Sequence, residues 1–206
     1  MVELERETSD ACYDGSVIDA GVEERVQRLL AQGTPDEAAA AVIRGYGPRI
    51  IDYLRGVLRD EDLAGDAFSQ FGERVWRGIA GFRGDASVLS WCYRLAWSAL
   101  CRVVESGHQR KRSPLETTHA ERLVAEVRTA TRPYQQTQIK NAVAQLRAQL
   151  SRDEQTLLYL RVDQDLPWTE VADVMDVDAA TLRKRFERIK DKLRDLARAA
   201  GLIRGE

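Results

Sequence analysis

Four cations crowd one short stretch near the C-terminus: Arg183, Lys184, Arg185 and Arg188. Arg can grip the edge of guanine with two parallel hydrogen bonds, and Lys or Thr can fix phosphates. Around them Leu182, Phe186, Ile189, Leu193 and Leu196 recur at three and four, the spacing of one buried helical stripe. On a helical wheel the opposite face carries Ala180, Thr181, Lys184, Glu187 and Arg188, flanked by Arg183 and Arg185. Just upstream, Trp168 to Met175 reads as a short helix with Val171, Ala172, Val174 and Met175 inward. Asp176-Val177-Asp178 is a tight turn whose second Asp can cap the next helix. Two short helices, the second one basic, fit a recognition helix lying in the major groove of duplex DNA. A charged, solvated helix of an ordinary bundle is the plainer alternative. The turn, the small Ala172 at the crossing and the basic bias together favour DNA.

Two further faces invite explanation. Over about 87–106, Leu89, Cys92, Tyr93, Ala96, Leu100 and Val103 form a buried side. Trp91, Arg94, Leu95, Ser98 and Arg102 lie opposite, with Trp97 at the edge and the basic run Arg110-Lys111-Arg112 just beyond. Aromatics stack on unpaired bases and Arg pairs with phosphates, so this face suits single-stranded nucleic acid. It equally suits a Trp91 that covers a neighbouring loop or helix. Over about 61–79, Ala64, Phe68, Phe71, Val75 and Ile79 cluster on one side, leaving Asp62, Asp66, Ser69, Gln70, Glu73 and Arg77 on the other. That acidic stripe is suited to docking on a basic protein surface, or is simply solvated.

Other chemistries find little support. The three cysteines, Cys12, Cys92 and Cys101, match no zinc or redox spacing, and the two histidines, His108 and His119, sit in polar sequence. No catalytic constellation, metal site or cofactor motif is visible, so the chain reads as a non-enzyme. No apolar run approaches the roughly 18 residues of a membrane span, and no signal pattern opens the chain. The expected location is the cytoplasm, without membrane insertion. The net charge of −2 hides a polarity. Residues 1–20 hold six acids and one Arg, whereas residues 179–206 hold nine Lys/Arg against four Asp/Glu. The C-terminal end therefore has the charge for contacting phosphates, and residues 1–20 do not.

The elements that must position these residues are all helical, because strand signals are scarce and Ala, Leu, Arg and Glu dominate. Residues 1–20 read as an acidic, disordered tail. Helices are expected over about 22–32, from a capping box at Thr34-Pro35-Asp36-Glu37 to about Leu58 with a bend near Gly47-Pro48, then over 61–79 and 87–106. A polar connection follows, 113–135, with some helix around 118–129. A second capping box, Ser151-Arg152-Asp153-Glu154, precedes core positions Leu157, Leu158 and Leu160, with Leu146 and Leu150 before it. The expected fold is thus all-α, with two small helical domains, 21–112 and 136–206, joined by a linker and with a helix-turn-helix in the second.

In this order the segments resemble the sigma-70 family of bacterial RNA polymerase sigma factors, extracytoplasmic-function (ECF) type. Ala64 to Trp76 is similar to the family's core-binding helix, A-E-D-L-V-Q-E-V-F-x-R-V-W. Phe82-Arg83-Gly84 followed by Trp91 to Ala96 is similar to F-R-G…W-L-Y-R-I-A. Leu150 to Gln155, Thr169 to Ala172 and Thr181 to Phe186 resemble the family's helix-turn-helix pattern. The resemblance implies that Asp66, with Asp62, Gln70 and Glu73, docks on core polymerase. It implies that Arg83, Trp91, Arg94, Trp97, Ser98 and Arg102 hold the melted −10 strand. Thr169, Thr181, Arg183, Lys184, Arg185 and Arg188 would read the −35 element. The departures are Gly65 and Ser98, where Glu and Asn are usual, with Ser69 for Gln and Arg102 for Asp.

The implied partners are core polymerase and promoter DNA, and an anti-sigma factor stays open as a third. The implied activity is non-enzymatic: promoter recognition and melting at transcription initiation. The alternative is a helix-turn-helix regulator that binds duplex DNA without polymerase, and such a protein predicts a palindromic site.

Overall fold

The computed structural model describes residues 15–105, 118–130 and 144–202, and every regular element among them is helical. In chain order these are α1 (Gly15–Ala31), α2 (Pro35–Leu58), α3 (Glu61–Gly78), α4 (Val88–Glu105), α5 (Thr118–Ala130), α6 (Arg152–Leu158), α7 (Trp168–Met175) and α8 (Ala179–Ala199). Short turns extend α3 (Ile79–Gly81, 3₁₀) and α6 (Tyr159–Asp163, π), and residues 144–148 are also helical. The first helix begins at Gly15, earlier than its apolar spacing suggested.

Local chemistry sets most boundaries. Asp60 accepts a hydrogen bond from the Leu63 N–H at 2.9 Å and starts α3, right after Arg59 ends α2 in the left-handed region (φ 53°). The Ser151 capping box forms in both directions: Ser151 N donates to Glu154 Oε2 at 2.7 Å and Glu154 N to Ser151 Oγ at 3.3 Å. Burial pushes the Glu154 carboxyl up, but hydrogen bonds from Lys192 and Ser151 outweigh it and hold its pKa below the ordinary value. The box at Thr34 does not form. Gly33 turns the chain back at φ 73°, and the Thr34 hydroxyl donates to the Leu29 carbonyl at 3.0 Å instead of capping α2. Pro35 at the first helical position starts that helix regardless, and Pro48 lies within it.

α2 is the hub, packed against α1, α3, α4 and α5. Tyr46, Ile50, Leu54, Phe68, Phe71, Ile79 and Leu100 fill the shared core and are almost wholly buried. α5 lies inside the stretch read as a connection, and it packs on α2 and α3 with Leu123, Val124 and Val127 buried. Its approach depends on missing side chains. A Cβ on Gly72 would lie 2.4 Å from a methyl of Val124, one on Gly47 2.8 Å from Val127, and one on Gly65 2.7 Å from the Arg128 guanidinium. Arg55 ties the same corner together, donating to Glu61 at 2.7 Å and to the Arg128 carbonyl at 3.3 Å.

Gly72→Ala should therefore destabilise the protein by about 1–3 kcal/mol, because β-branched Val124 cannot swing aside, even though Ala is the better helix former. The Gly72→Ala/Val124→Ala pair should recover part of that loss. Thermal unfolding of the three variants checks both statements.

Candidate nucleic-acid interface

α7, the turn and α8 form a helix-turn-helix. Val171, Val174, Met175, Leu182 and Ile189 are buried between the helices. Asp176 takes the left-handed conformation (φ 54°) that reverses the chain, and Asp178 Oδ1 accepts from the Thr181 N–H at 2.9 Å to start α8. Hydrogen bonds from Thr181 hold the Asp178 carboxyl below its usual range. Arg183, Lys184, Arg185 and Arg188 are all exposed, as the wheel required, and Thr169 is exposed at the start of α7. Thr181 is half-buried. Trp168 forms the base of this face. It meets Phe186 edge-on at 5.5 Å, and the guanidinium groups of Arg161 and Arg183 lie over its ring at 5.5 and 5.6 Å. Arg183 is thus steadied on an aromatic plane while its charge faces outward.

α4 presents different residues to three surroundings. Cys92, Ala96, Leu100 and Val103 face the core. Arg94 and Arg102 are exposed on the outer side, with Ser98 and Leu95 half-buried between them. Trp91 is half-buried and packs against Phe82, ring centroids 5.5 Å apart, as a cover for a neighbouring segment would. Arg83 is exposed in the loop before α4. Trp97 is half-buried and packed on the core, four residues after Tyr93. On α3, Asp62 is exposed, while Asp66, Gln70 and Glu73 are half-buried. Glu73 is paired with Arg77 at 2.7 Å, and its side chain is only 14% exposed. The basic run 110–112 lies outside the described residues.

The third surrounding of α4 is the C-terminal half itself, a contact with no signature in the sequence. α7 packs on α4, and α6 reaches α2. The Glu170 carboxylate accepts from Ser87 Oγ at 3.2 Å and from Ser90 Oγ. Tyr53 of α2 and Thr156 of α6 share a buried hydrogen bond at 3.1 Å. Tyr93 and Tyr159 share a longer one at 3.4 Å, and the three tyrosine rings lie 5.1–5.9 Å apart. Burial raises the pKa of all three phenols, that of Tyr159 to about 12, so they remain protonated at neutral pH.

No family model matches the chain. Two known proteins do. Over 150 residues, 70% of this chain and 76% of the relative, it is 26% identical to RNA polymerase sigma-H factor of Pseudomonas aeruginosa. Over 183 residues, 85% of this chain and 93% of the relative, it is 24% identical to ECF RNA polymerase sigma-E factor of Haemophilus influenzae. The chain resembles the ECF sigma factors of RNA polymerase. The similarity covers most of the chain. Among the described residues no helix is long and apolar enough to cross a membrane, and no group of His, Cys, Asp or Glu could hold a metal ion.

Tyr53→Phe should cost about 1–3 kcal/mol, because the Thr156 hydroxyl is left buried without a partner. The Tyr53→Phe/Thr156→Val pair should be closer to wild type than the single change. Denaturant titration of the set gives both values.

Proposed function

We propose that this chain is a sigma factor that binds core RNA polymerase in the cytoplasm, directs it to promoters and stabilises the melted strand. The carrying observation is the capped helix-turn-helix with four exposed cations on its outer face, in a chain whose relatives are named RNA polymerase sigma factors. Arg183, Lys184, Arg185 and Arg188, with Thr169 and Thr181 at the helix starts, read duplex bases and phosphates at the −35 element. Arg83, Trp91, Arg94, Ser98 and Arg102, with Trp97 beside them, hold the unpaired −10 strand, Trp91 by stacking and the arginines by charge. Asp62, Asp66, Gln70 and Glu73 form the acidic seat for core polymerase. Residues 21–112 and 136–206 are the two working domains. α5 of the segment between them packs on the first, and the rest of that segment sets how the two DNA contacts are made together.

Run-off transcription with purified core polymerase and a genomic promoter pool tests this reading. Products that depend on the protein are expected, and their absence would sink it. Asp66→Ala should weaken core binding by roughly 1 kcal/mol or more in a pull-down titration. Arg188→Ala should leave core binding intact and lose about 1–3 kcal/mol of discrimination at the −35 element.

One observation favours a second reading. The recognition-helix cations are exposed while the two halves are packed together, so duplex DNA could be bound without polymerase. A helix-turn-helix regulator of this kind would shift an inverted-repeat duplex tightly on its own.

A further inference from the structure

The seam between α3 and α4 holds a charge that its surroundings do not neutralise. Arg74 of α3 is half-buried, and its Nη2 is buried without a hydrogen-bond partner. Among the described residues no other buried side-chain polar atom is left in that state. Burial first, and then the like charge of Arg102 on α4, pull the pKa of Arg74 down, with only Glu73 acting the other way. Glu73 is already committed to Arg77 at 2.7 Å. Arginines elsewhere in the molecule have carboxylates of their own: Arg55 of α2 has Glu61, Arg147 has Asp163 and Arg194 of α8 has Asp191.

A partly desolvated guanidinium with an orphan N–H beside a second cation is costly, and proteins seldom keep such a group without a use. What the seam lacks is an anion. The seam also borders the strand face. Trp91 of that face comes within 3.3 Å of where a Cβ on Gly78 would lie, one helical turn after Arg74, and Arg102 belongs to the face itself.

We propose that Arg74 and Arg102 together seat one backbone phosphate of single-stranded DNA held on the outer face of α4. Arg74 rotates its planar fork outward to pair with two phosphate oxygens, which satisfies the N–H that is orphaned without ligand. Arg102 supplies the second cation, and the phosphate separates two charges that otherwise repel. The contact ignores base identity, so it fixes the register of the strand while Trp91 and its neighbours meet the bases. This assignment rests on the strand-binding reading of α4.

The test is fluorescence anisotropy of a 5′-labelled, mixed-sequence single-stranded DNA against the full chain bound to core polymerase, over a range of salt. Arg74→Ala should weaken binding about tenfold, as for loss of a hydrogen bond to a charged group. Its log–log salt dependence should become shallower by about 0.7, one phosphate's worth on a single strand. Arg102→Ala should behave alike, Arg74→Lys should keep part of the affinity, and the melting temperature of Arg74→Ala should not fall. Unchanged affinity and slope in Arg74→Ala, with wild type binding normally, would overturn the seat alone. A lowered melting temperature with an unchanged slope would make Arg74 a merely structural residue and overturn it too. Failure of the wild-type complex to bind the strand would remove the parent reading and the seat together. Inorganic phosphate competing as effectively as the oligonucleotide would mark a free-anion site and refute the strand assignment.

Discussion

A buried phenol hydroxyl must find a partner, and Tyr53 finds its partner outside its own half of the molecule. Tyr53 sits in the hub helix α2 with 1% of its surface exposed, and the oxygen it meets belongs to Thr156 of α6. Both groups are desolvated, so an unmade bond would cost each its lost water. The contact therefore couples the N-terminal bundle to the helix-turn-helix half. Tyr93 and Tyr159 extend it as an aromatic cluster with tilted and edge-on geometry. The π turn at Tyr159–Asp163 widens the end of α6, where Tyr159 joins the tyrosine cluster and the next residue, Leu160, is fully buried.

This coupling makes α4 the most constrained element. One side fills the bundle core, a second takes the Glu170 carboxylate and Tyr159, and the third is left to solvent with Arg94 and Arg102. A helix offers only a limited arc to each neighbour, so Ser90 and Tyr93 cannot serve both the C-terminal half and a ligand. The exposed arc remains for charge. α8 is arranged on the same logic: its apolar stripe is spent on α6 and α7, while Arg183, Lys184, Arg185 and Arg188 stay exposed.

Much of this was legible in the sequence because it is local. The Ser151 box, the Asp178 cap and the outward cations of α8 depend only on residues within a few turns, and the spacing of Leu182, Phe186 and Ile189 orients them. What could not be read is non-local. Thr34 has the right neighbours for a cap, but the tight turn at Gly33 draws its hydroxyl to Leu29. Gly65 and Gly72 each weaken an isolated helix, and only α5 seated against them gives them a use. Tyr53 and Thr156 lie 103 residues apart, and no periodicity connects them. Trp91 stood between a stacking platform and a cover for a loop; it does cover Phe82, and the face it lines is still open.

The glycine-lined groove also decides where the chain can be divided. A cut before Thr118 would strip α5 from its bed and lay bare the flank of Phe68 along with the small-residue surfaces of α2 and α3. Such a fragment would gain a sticky apolar trench that the intact protein never shows to water. Severing after Ala130 keeps that trench roofed. The N-terminal module, as a unit of folding, therefore carries its own lid thirteen residues long, borrowed from what looks like connecting chain.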